Sequence, residues 1–186
     1  MTGQINVNKI AARTGNTITI NSGDKISGAA GSIVAPGQVL QVVQTAHKGA
    51  STFSSTSFQN VTDLALTITP KSTSSKIFLQ YHGFIYMSNY TRYTFMSINR
   101  NIGGAGDADI SGSTASTNNT GSGFVQRYDG FAGIVYANQS FSFLDSPSTT
   151  SSIVYHPTIR RGVDSVTISH GHSNQVNTFT AMEIAG

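Results

Sequence analysis

"KIFLQYHGFIYMS", residues 76–88, carries large side chains at both odd and even positions. In a strand, successive side chains point to opposite sides of the sheet. Ile77, Leu79, Tyr81, Ile85 and Met87 then share one face, while Phe78, Gln80, His82, Phe84 and Tyr86 share the other. A strand buried on one side alternates more cleanly than this. Packing a second sheet against the first set leaves Phe78, Phe84 and Tyr86 in need of cover, and a subunit interface supplies such cover. "SFSFL" (140–144) repeats the doubling, with Phe141 and Phe143 on one face and Leu144 on the other. The candidates for an interface between chains are Phe78, Phe84, Tyr86, Phe141, Phe143 and Phe179.

The same alternation recurs along the chain. "LALTIT" (64–69), "YTFMSINR" (93–100), "GFAGIVYA" (130–137), "QSFSFLDS" (139–146), "SIVYHPTI" (152–159), "DSVTIS" (164–169) and "NTFTAMEI" (177–184) all read as strands. "TPKSTSSK", "MSNYTR", "DSPSTTSS" and "RRGVD" separate them as turns. Helical periodicity is nearly absent. Eight or more strands at this spacing predict an all-β antiparallel sandwich or jelly roll.

Composition narrows the function classes. Only 10% of the 186 residues are charged, against about 25% in an average domain. Ser and Thr total 47, and Gly adds 19. Low charge with small polar residues fits short strands and tight turns, not a disordered chain. The net charge is +3, and the densest basic spot is Arg160-Arg161. A nucleic-acid partner calls for a basic stripe with interleaved aromatics, which is missing. No apolar run reaches the roughly 18 residues of a membrane span. Cysteine is absent, so thiol chemistry is excluded and folding in a reducing cytoplasm is expected. The opening "MTGQINVNKIAARTGN" has no apolar signal-peptide core, which predicts release by lysis or none.

Two stretches stand apart. Residues 1–36 hold short β pieces between Gly turns, with too few apolar residues for a core. They read as an arm or short stalk, with Ile5, Val7, Ile10, Ile18 and Ile20 as its attachment residues. Residues 37–186 form the main domain. Within it, residues 101–123, "NIGGAGDADISGSTASTNNTGSG", read as a long loop, and loops of that length are usually functional or mobile.

Three segments carry a family resemblance: "FQNVTDLALTITPKSTSSKIFLQYHGFIYMS" (58–88), "SFLDSPSTTSSIVYHPTIRR" (142–161) and "NTFTAMEIAG" (177–186). In this order they resemble a fibre-like domain of marine bacteriophages, including cyanophages. The resemblance starts at "PGQVLQVVQ" and covers about residues 37–186; residues 101–135 depart from it, as a variable tip loop would. It implies a jelly-roll knob similar to trimeric TNF- or C1q-like knobs, a homotrimer with sheet aromatics packed about its axis. It further implies a virion protein assembled in the bacterial cytoplasm. The knob would bind a host cell-surface glycan or protein, and residues 1–36 would hold other virion proteins. The alternative role is a capsid decoration or head-fibre protein whose main contact is the particle.

Candidate chemistry is sparse. In "VTISHGHSN" (166–174), alternation places His170 and His172 on the inward face after Ile168. Two imidazoles are too few for a metal, but three copies around an axis would offer six, a set suited to octahedral iron or nickel. Gly171 allows the chain to turn between them and break the alternation. "DADISG" matches the opening of a calcium loop at Asp107, Asp109, Ser111 and Gly112, but its twelfth position is Asn118 and no helices flank it. Catalysis is not expected: Glu183 is the only glutamate, no carboxylate pair flanks a cleft, and no nucleophile elbow occurs. Receptor contact is expected from aromatic, basic and acidic loop residues, namely Tyr90, Arg92, Tyr93, Asp107, Asp109, Arg127 and Tyr128.

Overall fold

Among its described residues the chain forms twelve strands: β1 (Val39–Lys48), β2 (Ser51–Phe53), β3 (Gln59–Asn60), β4 (Leu66–Ile68), β5 (Lys76–Ser88), β6 (Tyr93–Ile102), β7 (Asp107–Asp109), β8 (Phe124–Arg127), β9 (Ile134–Asp145), β10 (Ile153–Arg161), β11 (Ile168–His170) and β12 (Val176–Ile184). One 3-10 turn, Thr62–Leu64, lies between β3 and β4. This computed structural model describes residues 22, 23, 25, 35–88, 93–112, 124–127, 134–162 and 167–186. The chain divides into Met1–Ile33 and Val34–Gly186, and all twelve strands belong to the second unit. The expected arm residues Ile5, Val7, Ile10, Ile18 and Ile20 lie outside the described residues.

All pairings are antiparallel, and several short strands run end to end. In the first sheet β9 pairs with β5, β5 with β11 and β12, and these two with β2 and β1 respectively. In the second, β3 and β4 pair with one edge of β10, β6 with its other edge, and β7 and β8 with the far edge of β6. Joined end to end, the twelve pieces make eight long strands, four per sheet. Numbered along the chain, their orders are 1-8-3-6 and 2-7-4-5, the double Greek key of a jelly roll. The expected fold class is therefore observed.

The end-to-end breaks have local causes. Between β11 and β12 the chain leaves the ladder at Gly171, whose φ of +78° favours glycine. A Cβ there would collide with the Gly49 carbonyl oxygen, at the matching break between β1 and β2. The Gly171 N–H donates to the Phe84 carbonyl at 2.6 Å, and the Phe84 N–H donates to Asn177 Oδ1 at 2.7 Å. The backbone of β5 thus stays satisfied across the gap. Two expected strands, 130–137 and 139–146, are a single strand from residue 134. Asn138 and Gln139 interrupt its apolar pattern but pair with Phe84 and Gly83.

Between the sheets lie Leu64, Leu66, Ile77, Leu79, Ile98 and Phe179, among other side chains that water does not reach. Each such side chain contributes about 1.5–3 kcal/mol relative to exposure. A row of rings crosses this core: Tyr81 stacks on Phe141 at 4.7 Å, and Phe141 on Phe124 at 4.1 Å. Phe141 and Phe179 are consumed by the intramolecular core, and Phe143 packs against it half-buried. These three are corrections to the expected interface. Alternation says which residues share a face, and the cross-strand register places these on the inner one.

The two sheets are also tied by a polar knot. Asp145, at the end of β9, accepts two bonds from Arg100 Nη1 at 2.7 and 3.0 Å and one from the Tyr155 hydroxyl at 2.6 Å. Burial, then the bond to Asp145, pushes the Tyr155 phenol well above its ordinary range. Removing one partner of such a set leaves an uncompensated charge. Asp145→Ala is expected to cost about 3 kcal/mol, read as a fall in the urea midpoint, with a smaller loss for Asp145→Asn. An Asp145→Ala variant as stable as the parent would remove this role.

Candidate interaction face

The register of the first sheet lets its outer face be read row by row. Val42 on β1, Met182 on β12, Phe78 on β5 and Leu144 on β9 form one row across all four strands. Val39 and Ile184 extend this apolar band toward the sheet's end. The next row is polar: Gln44, Thr180, Gln80 and Ser142, with Gln44 Nε2 donating to Thr180 Oγ1 at 2.9 Å. Ala46, Thr178, His82 and Ser140 follow. Beyond them the face turns aromatic, with Phe84, then Tyr86 beside Tyr136, then Ile134.

Among the described residues, the large apolar side chains left exposed are Val39, Val42, Ile134, Tyr136, Leu144 and Val176, at 47–57%. All six stand on this one face. A monomer scatters such residues, whereas a shared face marks a contact surface. The outer face of the second sheet is different in kind. Asn60 donates to Asp107 at 2.6 Å, Asn99 to Asn60 at 2.8 Å, and Ser97 to Asp109 at 2.8 Å. Neutral donors thus clothe the carboxylates there.

Of the expected interface residues, Phe78, Phe84 and Tyr86 stand half-buried on the outer face of the first sheet. Val39, Val42, Ile134, Tyr136, Leu144 and Val176 were not among those expected. Each strand's alternation groups them, but only the register shows that the groups adjoin.

The two histidines are split. His170 is buried on the core side, its Nε2 2.7 Å from the Tyr81 hydroxyl. Gly83 makes room for that contact, since a Cβ there would collide with Tyr81 Oη. His172 follows the Gly171 turn to the outer face. Its ring lies 5.1 Å from Tyr86, 5.7 Å from Tyr136 and 6.5 Å from Phe84. One metal cannot take both imidazoles, because the sheet stands between them, so the expected ligand pair is corrected. No group of three His, Cys, Asp or Glu suited to a metal occurs among the described residues.

The stretch expected to be a loop from residue 101 carries a short strand instead. Asp107 and Asp109 lie on β7, opposite Asn101 and Asn99 of β6. The Asn60 amide holds the Asp107 carboxyl below its ordinary range against the opposing effect of burial, with Asn101 and nearby His156 adding to the lowering. Both aspartates are exposed and remain accessible to a partner. Asp107 also borders a cleft of about 330 Å³ with Arg100 and Ile102. Tyr93 and Arg127 are backbone partners across β6 and β8. Tyr90, Arg92, Tyr128 and Asn118 lie outside the described residues.

No family model and no curated protein matches the chain. One solved structure that does match is "Structure of infectious bursal disease virus Gx strain", at 10% identity and a TM-score of 0.31. The match covers 88% of this chain and 42% of that one, so this chain spans about two fifths of its length. A likeness at this level carries no argument about function.

His170 makes the fold sensitive to acid. Burial, reinforced by His47 and partly offset by Asp63, lowers its pKa from 6.5 to about 4. The unfolded chain therefore binds the extra proton first. Stability from the neutral imidazole is full above pH 6.5 and falls as the pH drops toward 4. The expected loss is about 2 kcal/mol by pH 5. Urea midpoints between pH 7.5 and 5 should fall in the parent and flatten in His170→Gln. Equal slopes in the two would exclude this histidine as the cause.

Proposed function

We propose that this chain is a bacteriophage virion protein, a homotrimeric knob whose copies meet through the outer face of the first sheet and whose loops bind the host cell surface. The observation that carries the reading is the gathering on that face of the six large apolar side chains left exposed among the described residues, in register with Phe78, Phe84 and Tyr86. The opposite face instead offers the Asn60 amide and the exposed carboxylates of Asp107 and Asp109, beside an Arg160 guanidinium stacked on Phe95. The jelly-roll order and the three phage-like segments support the virion assignment together.

The mechanism is binding. A jelly roll is a rigid support, and its loops can vary while the sheets hold position. Three weak sites carried on one trimer reach a cell surface at high effective concentration, so avidity replaces single-site affinity. Asp107 and Asp109, exposed on the second sheet, are available for such contacts. Residues 1–36 tie the knob to the particle in this reading.

Light scattering on a sizing column tests the assembly. The expected mass is near three times the 19.6 kDa chain. Val42→Glu, at a position 57% exposed in the single chain, should leave the fold intact and shift the mass to one chain. A charge closed into an apolar contact costs several kcal/mol. A parent protein of single-chain mass would contradict the trimer. Retention of labelled trimer on host cells, but not of Val42→Glu, is the expected binding result. Retention on virus particles alone would favour the decoration role instead.

A further inference from the structure

The outer face of the first sheet carries bases and no acids among the described residues. Among its described residues the titratable side chains are Lys48 on β1, Lys76, His82 and Tyr86 on β5, Tyr136 on β9, and His172 after β11. The described carboxylates lie elsewhere. Asp145 and Glu183 belong to the core side of the sheet. Asp107 and Asp109 lie on the second sheet, and Asp63 lies in the turn after β3. His172 is held within the aromatic end of the face. Phe84 and Tyr86 flank it from β5, Tyr136 meets it edge-on from β9, and Ser173 Oγ lies 3.1 Å from its Nδ1. None of these neighbours is a carboxylate.

We infer that proton uptake by His172 opens the contact between copies, so that the assembly holds at neutral pH and releases in mild acid. The inference rests on the reading of this face as the contact between copies. In a separate chain, a protonated His172 keeps water on its open side and is attracted to the ring faces beside it. When a second copy closes over the face, that water is lost. Loss of hydration from a closed-in ion outweighs attraction to ring faces. Among the described residues the face has no carboxylate to replace the water. Lys48 and Lys76 lie at the ends of their strands, where long stems can lie flat and leave the ammonium in solvent. His172, set among three rings, has no such route. His82 is exposed on the same face. Histidine is the side chain whose charge ordinarily changes across this pH range.

The test is the concentration at which half the chains are assembled, measured by light scattering on the full chain at pH 7.5 and 5.5. Circular dichroism on the same samples separates dissociation from unfolding through His170. The parent is expected to need at least about tenfold more protein for half assembly at pH 5.5, with its β spectrum intact. His172→Phe should assemble equally at both values, and His172→Gln should do the same if the phenylalanine variant folds poorly. Equal assembly of the parent at both values would overturn the inference, as would a His172→Phe that dissociates in acid as the parent does. A single-chain mass at pH 7.5 at every concentration would overturn the interface reading itself, and this inference with it.

Discussion

The pairing of β5 on both edges is the constraint that governs the rest of the molecule. Its 13 residues are locked to β9 along one side and to β12 and β11 along the other. In that register Ile77, Leu79, Tyr81, Ile85 and Met87 have only one place to go, the space between the sheets. Phe78, Phe84 and Tyr86 are thereby committed to the opposite side. A one-residue slip would exchange the two sets. The core and the apolar outer face are thus two consequences of one alignment, and neither can be altered without disturbing the other.

Polar groups make that alignment specific. Glu183, the only glutamate, faces inward from β12 and accepts the Lys71 N–H and the Gln41 amide, each at 2.6 Å. It pins the turn between β4 and β5 to the last strand. Asp145 with Arg100 and Tyr155 joins the two sheets near the same end. At the other end, Asn177 and Gly171 complete the backbone bonding of Phe84, while the Tyr81 hydroxyl and His170 Nε2 pair over Gly83. Each polar contact fixes a register position that apolar packing alone would leave degenerate.

The strands and the two-faced character of β5 were legible in the sequence, because alternation of period two is a local property. What alternation cannot show is which face points inward. Phe141, Phe143 and Phe179 are as aromatic as Phe84, and only pairing with Leu79 and Tyr81 sends them to the core. The apolar row from Val42 to Leu144 was hidden for the same reason, since its four members lie on four strands far apart in the chain. The histidines show a different failure. His170 obeys the alternation, but one glycine at positive φ carries His172 to the other side. Asp107 and Asp109 were expected in a loop, but pairing with β6 and hydrogen bonding from Asn60, Asn101 and Ser97 make them part of a sheet surface.

The central claim is that the outer face of the first sheet is covered by other copies in solution, while Asp109 on the second sheet stays open to solvent. The natural chain has no cysteine, so single thiols can report on each face without background. Leu144→Cys and Asp109→Cys, both at positions exposed in the single chain, would be labelled with a maleimide under native conditions and in urea. The account predicts that the thiol at position 109 reacts at nearly its unfolded rate, while that at position 144 is protected until the assembly is dissociated. Equal, rapid labelling of both in the native protein would contradict it.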